Sequence, residues 1–289
     1  MNVEDVKKVA VFGAGLMGNG IAQVCAQAGL SVAMVDIEDR FVVNGLKNIT
    51  KNLQRGVDKG RMTPEEMQKI LNRIQGSTDR EAAKDADVVI EAIIENEEAK
   101  KELYIELDRI CPKHTIFGSN TSSISITAMA SITSPQRQAQ FIGMHFFNPV
   151  PVMKLVEIIK GYNTSDETHK LIEDLSIKIG KEIVTVNEAP GFAVNRLLIP
   201  FLLEAIFTIQ EGVCTVEDLD KSIKLGLNHP MGPLTLLDFV GLDTTLYIAD
   251  YLFEEFKDSK YRAPALLRKM VRAGHLGRKS GKGFYDYSK

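Results

Sequence analysis

An acid inside an aliphatic run is costly to bury unless something pairs with it. Glu157 is such an acid, in Leu155-Val156-Glu157-Ile158-Ile159, and it follows His145 by 12 residues. His145 ends a second apolar run, residues 141–144, and precedes Phe146-Phe147-Asn148-Pro149. A turn through Pro149-Val150-Pro151 would lay the two runs side by side and bring imidazole and carboxylate together. The pair would be a proton-transfer base whose tautomer and charged form are held by the acid. A plain structural ion pair satisfies the same spacing. The other histidines, 114, 169, 229 and 275, have no comparable setting.

A second group faces phosphate chemistry. Gly13-Ala14-Gly15-Leu16-Met17-Gly18 follows a short apolar run and opens a helical pattern at Ile21, Val24, Cys25 and Ala28. Another apolar run then ends in Asp36, 18 residues beyond Gly18. Strand, glycine turn, helix, strand and acid form the layout of a dinucleotide-binding unit. Gly13 allows the tight turn, Gly15 clears the approach of a pyrophosphate, and Gly18 lets helix and strand pack closely. The N–H groups at the helix start face the pyrophosphate. Asp36 would accept from an adenosine ribose hydroxyl and repel a 2′-phosphate, which favours NAD over NADP. Glycine clusters also make ordinary turns, and the pattern names a cofactor rather than a reaction. A third group, Ser119-Asn120-Thr121-Ser122-Ser123, follows an apolar run at 115–117. Its hydroxyls would bind a substrate oxygen or cap a helix beginning near Ile126; the residues alone do not choose.

The elements that must position these groups are legible as alternation. Strand-like runs recur at 10–12, 32–35, 88–94, 115–117, 141–144, 155–159 and 183–186, with helical patterns between most of them. This predicts a largely parallel, doubly wound α/β sheet. Residues 44–74 read as two helices about a charged turn, and Thr63-Pro64-Glu65-Glu66 is a capping box. That span is longer than a crossover needs and predicts an inserted helical arm. After Asn187-Glu188-Ala189-Pro190-Gly191 the chain is nearly all helix-like. We therefore expect a nucleotide-binding domain over 1–188 and a helical domain over 189–289. The helix at 197–209 is apolar enough to be buried on nearly all sides, with part of that surface in a dimer interface.

Composition narrows the class. The net charge is −3 without runs of either sign, so there is no nucleic-acid footprint. Cys25, Cys111 and Cys214 are odd in number and scattered, which suggests neither a disulfide framework nor a metal site. Cys25 reads as core. No apolar stretch reaches bilayer length, and the polar start leaves no room for a leader, so a cytoplasmic protein is expected.

With these motifs in order, and with Pro190-Gly191-Phe192-Ala193-Val194-Asn195-Arg196 and His229-Pro230-Met231-Gly232-Pro233 after them, the chain resembles the L-3-hydroxyacyl-CoA dehydrogenase family from about residue 7 to Tyr287. In length it is most similar to the short bacterial members acting on 3-hydroxybutyryl-CoA. The resemblance implies an NAD-dependent enzyme with an acyl-CoA substrate and a homodimer through the C-terminal helices. It implies that His145 is the base, Glu157 its orienting partner, and Ser122 and Asn195 hydrogen-bond donors near the reacting oxygen. It places Gly13, Gly15, Leu16, Met17, Gly18, Asp36, Glu95, Lys100, Ser122, Asn148 and Lys279 at the cofactor, and Asn52 and Lys59 at coenzyme A. Ser131 to Gln140 is about two residues longer than is usual in the family, and we expect a surface loop there. Two other readings use the same residues: oxidation of a free 3-hydroxy sugar acid such as L-gulonate, and a non-enzymatic NAD(H) sensor.

Overall fold

The computed structural model describes residues 1–288; Lys289 lies outside them. The chain divides between Ala189 and Pro190 into two compact units.

The first unit runs β1 (Lys8–Phe12), α1 (Leu16–Gln27), β2 (Ser31–Val35), α2 (Asp39–Asp58), α3 (Pro64–Leu71), β3 (Ile74–Ser77), β4 (Val88–Glu91), α4 (Glu97–Ile110), β5 (Ile116–Ser119), α5 (Ile126–Ser131), α6 (Pro135–Gln138), β6 (Phe141–Phe146), β7 (Leu155–Lys160), α7 (Asp166–Lys178) and β8 (Glu182–Asn187). The strands form one sheet in the order β3-β2-β1-β4-β5-β6-β7-β8. Every pairing is parallel except β6 with β7. The order reverses between β1 and β4, the switch point where open α/β sheets take their ligands.

Local chemistry explains most of these elements. Thr63 accepts from the Glu66 N–H, and Glu66 accepts from the Thr63 N–H, which starts α3 as expected. The arm is α2 and α3, the crossover from β2 to β3. Val42, Ile49 and Leu53 fall on one face of α2 and join the core of this unit. β3 escaped the sequence reading because Gln75, Gly76 and Ser77 carry no apolar signal; β2 recruits it. A side chain at Gly76 would meet Val42 at 2.3 Å, so glycine there admits α2. The run read at 88–94 stops as a strand at Glu91, and Ile94 beyond it is exposed.

One expectation is corrected in part. Residues 131–140, expected as a surface loop, do expose Ser131, Ser134, Pro135 and Gln136, but they include a short helix and a buried arginine. Ser134-Pro135 opens α6, whose Arg137 is buried over the Phe117 ring and bonded to Asp108 and to the Thr115 and Pro112 carbonyls. A cation gathering that many acceptors is a packed structural element. In the second unit, Leu197 is 76% exposed in the single chain.

That second unit is helical: α8 (Val194–Gln210), α9 (Val216–Gly226), α10 (Pro233–Val240), α11 (Leu242–Phe256) and α12 (Ala265–Arg272). Ile199, Leu202, Leu203 and Ile206 of α8 pack with Leu234, Leu237, Ile248, Leu252 and Leu267 in one core. Two buried acids pin its connections. Asp220 accepts from the Leu234 and Thr235 N–H groups and the Tyr285 hydroxyl. Asp238 accepts from the Phe284 and Tyr285 N–H groups and the Tyr287 hydroxyl, clasping the chain after α12. Gly277 and Gly283 lie against Asp238 so closely that any side chain would collide with it.

Candidate active site

The carboxyl ends of β1, β2, β4, β5 and β6 point the same way, and the expected groups of the first unit cluster there. Gly13 adopts φ +99°, and a side chain on it would strike the Ala92 carbonyl at 2.4 Å. A side chain on Gly18 would strike the Gly13 carbonyl at 1.7 Å, whereas Gly15 faces open space. α1 begins at Leu16 with Gly15 as N-cap and no side chain capping it. The turn is therefore packed tightly on its inner side and open on its outer side, the cradle a pyrophosphate needs. Asp36 does more than the motif implies. Its Oδ2 accepts from the Ala14 N–H at 2.6 Å and its Oδ1 from the Ile37 N–H at 2.7 Å, so the acid ties the end of β2 to the glycine turn. A depression of about 400 Å³ lined by Ile37, Glu38, Asp39, Arg40 and Thr78 opens at the ends of β2 and β3.

The β6–β7 pairing sets His145 opposite Glu157, with Nδ1 and Oε2 2.7 Å apart. Glu157 has no exposed surface, and His145 is 7% exposed. The intervening turn is held from below. Lys181, itself buried, donates to the Val150 and Met153 carbonyls, and Gly20 of α1 lets Val150 approach. Burial lowers the Lys181 pKa from the usual lysine value. The Asn120 side chain accepts from the Phe146 N–H at 2.9 Å, which links the serine loop to the histidine strand.

In the serine loop, the helix cap turns out to be Ser125, which accepts from the Ala128 N–H. That leaves the Ser119–Ser123 hydroxyls for other partners. Glu95 gathers them: it accepts from the Ser122 N–H at 3.0 Å and from the Thr121, Ser122 and Ser123 hydroxyls. Lys100, fully buried, donates to both Glu91 and Glu95. Burial alone would raise the Glu95 pKa, but the Lys100 charge and these donors outweigh it and hold the carboxyl below its usual value. Burial likewise opposes the Lys100 charge, and the two glutamates overcome it and raise its pKa.

The remaining sites are more dispersed. Asn148 is half-buried just past β6. Asn52 is half-buried on α2, and Lys59, at its C-cap, is exposed. In the second unit Asn195 is buried in the first turn of α8, and Lys279 is paired with Asp243 at 2.6 Å. Glu91 and Asn120 had been passed over. The signal for Glu91 was present, an acid inside the apolar run 88–94, the same signal that singled out Glu157. Among the described residues no cluster of side chains could hold a metal, and no helix is long and apolar enough to cross a membrane.

Residues 8–189 match the sequence model of the 3-hydroxyacyl-CoA dehydrogenase NAD-binding domain, and residues 191–287 match that of the C-terminal domain. The chain belongs to the 3-hydroxyacyl-CoA dehydrogenase family. The dehydrogenase is 53% identical over 284 residues to a probable 3-hydroxybutyryl-CoA dehydrogenase of Bacillus subtilis, with 98% of each chain covered. It is 45% identical to the human mitochondrial hydroxyacyl-coenzyme A dehydrogenase, covering 98% of this chain and 91% of that one. The crystal structure of (S)-3-hydroxybutyryl-CoA dehydrogenase from Ralstonia eutropha matches with a TM-score of 0.93 at 50% identity, covering 98% of this chain and all of that one. The dehydrogenase is thus an NAD-dependent oxidoreductase whose cofactor domain is the first unit.

Proposed function

We propose that this enzyme interconverts (S)-3-hydroxybutyryl-CoA and acetoacetyl-CoA, with His145 as the acid–base group. The observation that carries the proposal is the buried 2.7 Å contact between His145 and Glu157 at the end of β6. An ionised Glu157 requires the Nδ1 proton, which makes Nε2 the nitrogen that exchanges a proton with the substrate's 3-hydroxyl. As that oxygen is deprotonated, the acid at Nδ1 stabilises the imidazolium. NAD, when bound, accepts the hydride from C3. Ser122 and Asn195 are assigned to orient the reacting oxygen and the histidine. The 3-hydroxybutyryl-CoA relatives at full length support the four-carbon substrate.

The same reading gives the cofactor residues their tasks. Gly13, Gly15, Leu16, Met17 and Gly18 hold the pyrophosphate, and Asp36 the adenosine ribose. Arg40, just beyond it in the chain, is paired with Glu38 through two contacts of 2.8 and 2.9 Å. Glu95 and Asn148 line the nicotinamide half, Lys100 acts there through Glu95, and Lys279 is assigned to the cofactor as well. Asn52 and Lys59 are assigned to coenzyme A. A homodimer through the helical unit would cover Leu197, Val213, Leu225 and Leu227, all exposed in the single chain; light scattering of the purified protein tests it. A cytoplasmic location is part of the same proposal.

The deciding experiment is His145→Gln. It should keep NADH binding and lose at least about 10²-fold in kcat with acetoacetyl-CoA, the scale of positioned acid–base help. Near-normal turnover would remove His145 from the mechanism. Turnover of free 3-hydroxy acids but not acyl-CoA would favour the sugar-acid reading.

A further inference from the structure

Beneath the serine loop lies a charged group that the proton-transfer pair does not use. Glu91 is the last residue of β4 and is fully buried. Its carboxylate accepts from Lys100 Nζ at 2.9 and 3.2 Å, the Ile93 N–H at 2.9 Å, the Ser119 hydroxyl at 2.7 Å and the Tyr104 hydroxyl at 3.3 Å. Lys100, in the first turns of α4, spends its remaining reach on Glu95 Oε2 at 2.8 Å. The other oxygen of Glu95 carries the Ser122 loop. The β4–β5 register, which sets Glu91 beside Ser119, closes the arrangement.

We propose that Glu91 and Lys100 are positioning residues that lock Glu95 and the Ser122 loop, and that the surplus negative charge of this trio biases the bound cofactor toward its oxidised form. The charge count is simple: two carboxylates, one ammonium, and otherwise only hydroxyl and N–H partners. Tyr104 remains a neutral donor because burial and the nearby Glu91 hold its proton. The location follows from topology, and here the inference rests on the NAD reading. The glycine turn lies after β1 and Asp36 after β2, so half of the dinucleotide runs over β2. The other half then runs across the switch point, over the ends of β4 and β5. Glu95 and the serine loop occupy those ends. The oxidised nicotinamide ring is a cation and the reduced ring is neutral. A net negative floor therefore lowers the free energy of the oxidised form selectively, while a neutral floor of the same shape would not. The burial matters because water screens a fully buried group far less than an exposed one.

Glu91→Gln tests the idea with little change of shape. The amide oxygen still accepts from Lys100 and Ile93. The amide nitrogen faces the Ser119 and Tyr104 hydroxyl oxygens, and Tyr104 can turn to the Gly118 carbonyl, 3.4 Å away. The trio becomes neutral. Dissociation constants for NAD+ and NADH are measured by titration without acyl substrate, so the result does not depend on which substrate the enzyme uses. We expect Kd for NAD+ relative to NADH to rise about three- to tenfold, the scale of one unit charge acting through partly screened surroundings. An unchanged ratio, including equal weakening of both forms, would overturn the bias. Lys100→Met is the counter-variant. It leaves two carboxylates that share a proton or both ionise, so the floor stays anionic. Its ratio should stay level or fall while kcat drops, because Glu95 has lost its anchor. A rise like that of Glu91→Gln, or an unchanged kcat, would overturn the positioning role. If Glu91→Gln fails to fold, Glu95→Gln neutralises the trio in its place, and an unchanged NAD+/NADH ratio there would overturn the bias, while Lys100→Met still decides the positioning role through kcat.

Discussion

Both units place acids in largely buried surroundings, and they use them differently. In the sheet unit, Glu91 and Glu95 share a buried ammonium, and Glu157 holds an imidazole. In the helical unit, Asp220 and Asp238 are met by backbone N–H groups and hydroxyls. Fixed neutral donors satisfy a carboxylate and tie down chain. Titratable or cationic partners give it a charge state that a ligand can sense. A buried acid is therefore read by its partner: N–H donors mark a staple, and a histidine or lysine at the end of a sheet marks chemistry.

The strongest way to break that contrast is Glu157→Gln. The amide has nearly the shape of the acid but cannot stabilise an imidazolium, so kcat should fall by about 10²- to 10⁴-fold. NADH affinity should hold; a loss in NADH binding with kcat intact would make Glu157 a staple like Asp238. Asp238→Ala is the mirror experiment. It orphans two N–H groups and a hydroxyl in a buried site, each costing about 1–3 kcal/mol. Thermal unfolding should move down by several degrees, and an unchanged midpoint would deny the clasp. Asp36→Ala mixes both uses. It should weaken NADH about tenfold more than NADPH, which corresponds to about 1.4 kcal/mol of lost ribose contact. A smaller loss should be common to both cofactors, because the Ala14 tether goes too. Equal losses would show that Asp36 is only the tether. The smallest effect is on acid stability. Burial opposes ionisation of Asp108, but the Ser134 N–H and Arg137 outweigh it and hold its pKa below the usual value. The stabilisation is complete above about pH 4, the unfolded aspartate range, and declines as pH falls through the lower folded value. Asp108→Asn should flatten the acid limb of stability against pH, and an unaltered limb would remove Arg137–Asp108 from the account.

Much of the cofactor half was legible along the chain, because its causes are local. The Gly13–Gly18 turn, Asp36 and the Thr63 capping box each rest on neighbours within a few tens of residues. β3 was missed because an edge strand needs only a partner's hydrogen bonds, not an apolar run of its own. α6 was misread because nothing in Pro135-Gln136-Arg137-Gln138 says that Arg137 will find Asp108 and the Thr115 carbonyl. The apolar composition of α8 says how much surface wants covering but not by what: its core-facing residues are buried within the chain, and Leu197 is left outside in the single chain.

By itself the sequence determined the class of the sheet, the position of the glycine cradle, and the acid and histidine that face each other across β6 and β7. Those follow from periodicity, turn chemistry and the cost of an acid among aliphatics, all of which act over short stretches. Only the tertiary structure decided which acids share a cation and which share backbone donors. Glu91 and Lys100 are nine residues apart, yet their third partner, Ser119, arrives from the next strand, and Ser122 reaches Glu95 across the same gap. Strand order and register make those choices, because a one-residue slip in β4 against β5 would turn Glu91 to the opposite face of the sheet.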